Sequence, residues 1–114
     1  MAKVGRFVTD PRAGSYCQIT LNSGEKIVVS HDKGGFKGGT VTIETVKFLG
    51  LGSEKIFACE LDSDRGRSAL GRLTAAATPG SVEATPLGAF VELVKTCSSV
   101  AEVRARCDGL TMIP

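Results

Sequence analysis

The segment from Val41 to Phe48 alternates apolar and polar residues, and the alternation changes phase halfway along it. Val41 and Ile43 share one parity, whereas Val46 and Phe48 share the other. Successive side chains of a strand point to opposite faces, so the change requires one extra residue or a sharp bend near Glu44–Thr45. Because such a bend curls a short sheet, the pattern predicts a corner of a small β-barrel.

Four further segments have the alternation or the apolar content of short strands. They are Val4–Val8, Tyr16–Leu21, Lys26–Ser30 and Lys55–Leu61. The sequence Asn22-Ser23-Gly24-Glu25 predicts a tight hairpin between the second and third strands, because Asn and Gly suit such turns. Together with the bent strand Thr40–Leu49, these segments predict a small five-stranded antiparallel barrel of the SH3-like or OB-like kind.

After Leu61 the spacing of apolar residues becomes helical. Ser63 or Asp64 is suited to cap a first helix that runs to about Ala77. Thr85-Pro86 is a strong start signal for a second helix, since a capping hydroxyl precedes proline at the first helical position. Ser99 and Glu102 form a capping-box pattern for a third helix that ends near Asp108.

Strands followed by helices predict an α+β fold. We expect residues 1–61 to form the barrel, and residues 62–114 to form two to three short helices that pack on the barrel or on a partner chain. In the second helix, Leu87, Phe90, Val91 and Val94 repeat at helical spacing. This apolar stripe either closes the barrel within the chain or forms the interface of a homodimer or another protein complex.

Composition excludes several classes of protein. The chain has 114 residues, 42% of them hydrophobic, and a net charge of +2, which is typical of a soluble globular protein and too small to indicate nucleic-acid binding alone. We find no apolar run long enough to span a membrane and no signal-peptide pattern at the N-terminus, so the expected location is cytoplasmic.

A glycine-rich loop from His31 to Gly39 is the first candidate site. It contains four glycines, two lysines and one phenylalanine, which are suited to present cations, a ring and backbone N–H groups to phosphates. It does not match a P-loop, because Gly38 follows Lys37 where Ser or Thr is required. The alternative is a solvated loop whose lysines only aid solubility.

A group of arginines near the start of the first predicted helix is the second candidate. Arg65 and Arg72 share a helical face, and Arg is suited to bidentate phosphate contacts. The alternative is a solvated face that Asp62 and Asp64 neutralise.

The leading interpretation is a non-enzymatic module that binds the backbone of RNA or DNA. The predicted contacts are Lys33, Phe36, Lys37, Arg65 and Arg72.

The cysteines allow a third interpretation, a thiol enzyme or a small-ligand binder. His31 beside Asp32 is a suitable base for a thiol nucleophile. However, the four cysteines lie in apolar strand or helix patterns, where thiols are inert, and no pair has the spacing of a zinc or redox motif. We expect four reduced thiols, and the sequence predicts no metal, no cofactor and no catalytic residue. The four are Cys17, Cys59, Cys97 and Cys107.

Overall fold

Five antiparallel strands form the first half of the chain in a computed structural model that describes residues 2–10, 14–32, 39–46 and 53–111. Each strand pairs with the strand that follows it, so that the spatial order equals the chain order. The strands are β1 (Lys3–Asp10), β2 (Gly14–Thr20), β3 (Lys26–Asp32), β4 (Thr40–Val46) and β5 (Ser53–Glu60).

Three α-helices follow the strands and confirm the predicted α+β class. They are α1 (Asp64–Thr74), α2 (Pro86–Lys95) and α3 (Val100–Thr111), and a short 3-10 turn, Val82–Ala84, precedes α2. In the described part of the chain, no helix has both the length and the apolar character that crossing a membrane requires.

The helices begin where the capping signals predict. Ser63 Oγ accepts a hydrogen bond from Gly66 N at 3.0 Å, and Thr85 Oγ1 accepts one from Gly88 N at 3.1 Å. At the start of α3, Ser99 Oγ accepts from Glu102 N at 3.3 Å, and the Glu102 carboxylate accepts from the backbone N–H of Ser98 at 2.8 Å. Each bond satisfies an N–H group that lacks an intrahelical partner.

The sheet is open, so the predicted barrel and its SH3-like or OB-like topology are not confirmed. Among the described strands, β1 and β5 are the two edges and do not pair with each other. The helices cover one face of the sheet, the face that a barrel would bury by curling the sheet onto itself. The apolar face is thus buried without closure.

A register shift lies beside the predicted bend, but the extra residue belongs to the neighbouring strand. Ile43 pairs with Phe57 and Glu44 with Lys55, which leaves Ile56 of β5 as the additional residue. The pairing of β4 with β3 is regular as far as Val46, and Val46 lies on the face away from the helices, 37% exposed. The expectation that β4 itself changes face is therefore corrected up to this residue; Phe48 lies outside the described residues.

One hydrophobic core joins the sheet to the helices. It contains inward-facing residues of the strands, such as Ile27 and Ile43, together with residues of all three helices. Phe90 of α2 is fully buried, and its ring centroid lies 5.7 Å from that of Phe57 on β5. Residues 62–111 thus pack on the sheet within the same chain.

The β2–β3 hairpin also anchors the start of α3. The Glu25 carboxylate accepts hydrogen bonds from Ser23 Oγ at 2.7 Å and from Val100 N at 3.1 Å. These two bonds, with the Ser23 bond the larger contribution, lower the pKa of Glu25 below its ordinary value of 4.5. A side chain of the hairpin therefore supplies a cap to a helix 75 residues away in the sequence.

Candidate functional site

Gly39, the last residue of the predicted glycine-rich loop, lies beside the segment that leads into α1. Lys33, Phe36 and Lys37 lie outside the described residues, so their predicted contacts stay predictions. The Gly39 carbonyl accepts a hydrogen bond from Leu61 N at 2.9 Å. Because Leu61 leads into α1, Gly39 lies close to the turn that carries Arg65.

The arginines of α1 make contacts within the fold. The Arg65 guanidinium lies 5.6 Å from the centre of the Phe57 ring, and Arg72 donates to the Leu110 carbonyl at 3.2 Å. Arg67 donates to the Asp64 carboxylate at 2.7 Å. Arg65 and Arg72 are seven residues apart, about 10 Å along the helix axis. Both belong to the helical layer and not to the open face of the sheet.

Exposed carboxylates surround the end of the sheet next to Gly39. Asp32 and Glu60 flank Thr40 in one cross-strand row, Asp62 follows β5, and Asp64 is the first residue of α1. The described residues at this end therefore carry more acidic than basic side chains. A phosphate backbone approaching Arg65 would meet repulsion from them unless the lysines of the loop offset it.

The apolar stripe of α2 packs inside the chain. Leu87, Phe90, Val91 and Val94 are between 0% and 6% exposed and belong to the hydrophobic core. Of the two alternatives, packing within the chain or against a partner, these four side chains follow the first. A partner chain would have to bind at other residues.

The cysteine thiols are protected from solvent. All four are buried, and none forms a disulfide with another described residue. Burial raises the pKa of Cys17 and of Cys97, and burial together with the nearby Cys97 and Asp108 raises the pKa of Cys107 to about 12. Because the thiolate is the reactive form, these three thiols are poor nucleophiles at neutral pH.

The open face of β1–β3 brings together cations that are far apart in the sequence. Lys3 pairs with Thr20, and Thr20 pairs with Lys26, so the three side chains form one row across the sheet. Ile19 and Ile27 point inward and are fully buried, so by alternation this row points outward. We call the outward surface formed by Lys3, Arg6, Tyr16, Gln18 and Lys26 the basic face.

The other members of the basic face lie next to this row. Arg6 lies in a bulge of β1 opposite Gln18, where two residues of β1 face one of β2. Tyr16 is 43% exposed and lies between Val8 and Ser30 in the next outward row. Sequence reasoning missed this surface because it needs the register of three strands; the only local signal is the alternation around each cation.

The basic face has one acidic neighbour among the described residues of β4, Glu44, which lies diagonal to Lys26 on the same side of the sheet. Within the described residues, none of its three cations forms an ion pair. Glu25 precedes Lys26 in the sequence, but its carboxylate is turned toward the start of α3. The basic face thus concentrates positive charge on a protein whose net charge is only +2.

Comparisons with protein-family models, with curated proteins and with solved structures found no match for this chain. The assignment of a function therefore depends on the chemistry of the residues described above.

Proposed function

We propose that this protein is a non-enzymatic binding module that contacts the phosphate backbone of RNA or DNA. The carrying observation is the outward row Lys3–Thr20–Lys26, in which two lysines without an ion-pair partner among the described residues flank a small polar residue. Lysines in this position attract phosphates and release counterions when they bind. Arg6 adds a third cation beside them.

The open face also has the shape and the side chains that such a ligand needs. A strand spacing of about 4.8 Å places Lys3 and Lys26 roughly 10 Å apart, on a surface that no described helix covers. Tyr16 offers an exposed ring for stacking on an unpaired base, and Gln18 offers an amide. Because phosphate contacts carry no sequence information, we expect little discrimination between sequences.

The contacts predicted from the sequence form a second part of this proposal. Lys33, Phe36 and Lys37 come after Asp32 in the sequence, and Asp32 ends β3 six residues and about 20 Å from Lys26. A nucleic-acid strand that meets both regions must therefore run the length of β3. Arg65 and Arg72 lie in the helical layer and contribute only if the ligand passes around the end of the sheet.

Binding of a fluorescent oligonucleotide at several salt concentrations tests the proposal. We expect the affinity to fall steeply with salt, and Lys26→Ala to weaken binding and to reduce the salt slope by about one. Lys95→Ala is the matched control, because Lys95 lies on α2 and is already paired with Glu92 at 2.7 Å. Binding that ignores salt, or an equal loss in both variants, would contradict the proposal.

Two further variants locate the contact. Tyr16→Ser should weaken binding of a single strand by roughly 10-fold and leave duplex binding nearly unchanged, since only an unpaired base can stack on the ring. Lys37→Ala tests the loop. If Lys37→Ala weakens binding and Lys26→Ala does not, the protein binds nucleic acid through the loop and the basic face is the wrong surface.

The alternative function, a homodimer or protein-interaction module, has to use residues outside the α2 stripe because that stripe is buried. Sedimentation of the chain at high concentration tests the predicted homodimer. A dimer mass would support it, whereas a monomer mass across the whole concentration range would contradict it.

A further inference from the structure

Three polar side chains occupy inward positions at one end of the sheet. Thr9 pairs with Ser15, and Ser15 pairs with His31, so the three lie in one row across β1, β2 and β3. The next row on the same side consists of Phe7, Cys17 and Val29, which places the polar row on the face that the helices cover. Thr9 is exposed and Ser15 and His31 are half-buried, so the helices leave this corner of the face partly open.

The polar row forms one wall of a cavity of about 380 Å³ between the sheet and the start of α2. Phe7 lies beside the row on β1, and the opposite side consists of Val82, Pro86 and Leu87 with the hydroxyl-bearing Thr85. Phe7 and Val82 are 43% and 56% exposed, so apolar surface at this corner is open to solvent. The volume lies in the range of small-molecule sites, and mostly apolar walls with a few convergent polar groups are typical of such sites.

We infer that this cavity binds a small molecule with an apolar body and a single carboxylate. Thr9 Oγ1 and Ser15 Oγ lie 3.4 Å apart, and one hydroxyl proton between them leaves the other hydroxyl free to donate to a carboxylate oxygen. His31 also lines the cavity beside this pair of hydroxyls. No carboxylate is among the described residues that line the cavity, so nothing there repels an anion or attracts a cation.

An aromatic ring or a branched aliphatic group fits the rest of the cavity. Phe7 provides a ring for stacking, while Val82 and Leu87 provide aliphatic contacts. This site lies on the helix-covered side of the sheet, whereas the basic face lies on the opposite side. The inference thus goes beyond nucleic-acid binding and does not depend on it.

An NMR titration of the full chain with three probes of similar shape tests the inference: benzoate, benzamide and benzylammonium. We expect benzoate to shift the backbone amides of Ser15, His31 and Leu87 with a dissociation constant on the order of 1 mM. Benzylammonium should bind at least about 5-fold more weakly, because the cavity offers no anionic group. Equal binding of benzoate and benzamide, or shifts confined to the basic face, would overturn the inference.

A matched pair of variants separates the cavity from general anion binding. Val82→Trp places a large ring in the mouth of the cavity and should abolish the benzoate shifts, whereas Val46→Trp makes the same change on the open face and should preserve them. Ser15→Ala should weaken benzoate binding roughly 10-fold through the lost hydrogen bond. Val82→Trp should leave oligonucleotide binding unchanged, so failure of one proposal is distinguishable from failure of the other. Benzoate binding that survives Val82→Trp would contradict the cavity assignment.

Discussion

The two faces of the sheet belong to the same strands, but one face is buried under the helices and the other is open to solvent. On the helix-covered face, the large side chains of Ile19, Ile27 and Ile43 are fully buried and fix the position of the helices. On the open face, Tyr16 and Val46 are 43% and 37% exposed, and the remaining positions are largely polar. The comparison teaches that substitutions on the first face should change stability, and substitutions on the second should change binding.

The largest expected effect is on the covered face. Phe90→Ala should lower the free energy of unfolding by about 3–5 kcal/mol, because it removes a fully buried ring that contacts Phe57 and leaves a cavity. Tyr16→Ala removes a ring of similar size from the open face and should cost less than about 1 kcal/mol. Denaturant unfolding of both variants measures the difference, and equal losses would mean that the two faces are not distinct in this way.

Two glycines of α1 provide a finer version of the same comparison. A Cβ atom at Gly66 would clash with the Glu60 carbonyl oxygen, so Gly66→Ala should destabilise the fold by about 1–3 kcal/mol. Gly71 faces open space within the same helix, and Gly71→Ala should stabilise it by about 1 kcal/mol through helix propensity. Thermal unfolding of the two variants measures whether each change raises or lowers the stability. A stabilising Gly66→Ala would show that α1 does not approach the end of β5 this closely.

The smallest expected effect concerns Glu25, in the turn between β2 and β3. Its pKa is lowered in the folded state, so its contribution is present above about pH 4.5 and is lost as the pH falls through the lowered value. Glu25→Gln should cost less than about 1 kcal/mol at pH 7, since the group is exposed and screened. Unfolding measured between pH 3 and pH 7 should show the difference from the natural chain shrinking in acid. A difference that is constant with pH would contradict the role of the carboxylate.

The local parts of this fold are readable from the sequence. The turn Asn22–Glu25 and the starts of α1, α2 and α3 follow from a few neighbouring residues, because turns and caps depend on local backbone hydrogen bonds. The apolar stripe of α2 likewise predicts which side chains are buried, but not whether they pack within the chain or against a partner.

The remaining features depend on contacts between distant segments. The extra residue at the register shift beside Glu44 is Ile56 of β5. The apolar/polar pattern of one strand does not show that the extra residue lies on the strand paired with it. For the same reason the sequence pattern predicts a barrel, which the open sheet does not confirm. Lys3 and Lys26 become neighbours only through the pairing of three strands, so a search for charge clusters along the chain passes over them.

The order of elements along the chain has a consequence for its synthesis. All five strands precede all three helices, and each strand pairs with the one before it, so the sheet can assemble hairpin by hairpin as the chain leaves the ribosome. Its apolar face then stays uncovered until Phe90 and the rest of α2 follow. During that interval the nascent chain presents the kind of surface that chaperones bind and that aggregates bury. The helices, which come last in the sequence, thus supply the cover for the apolar face of the sheet.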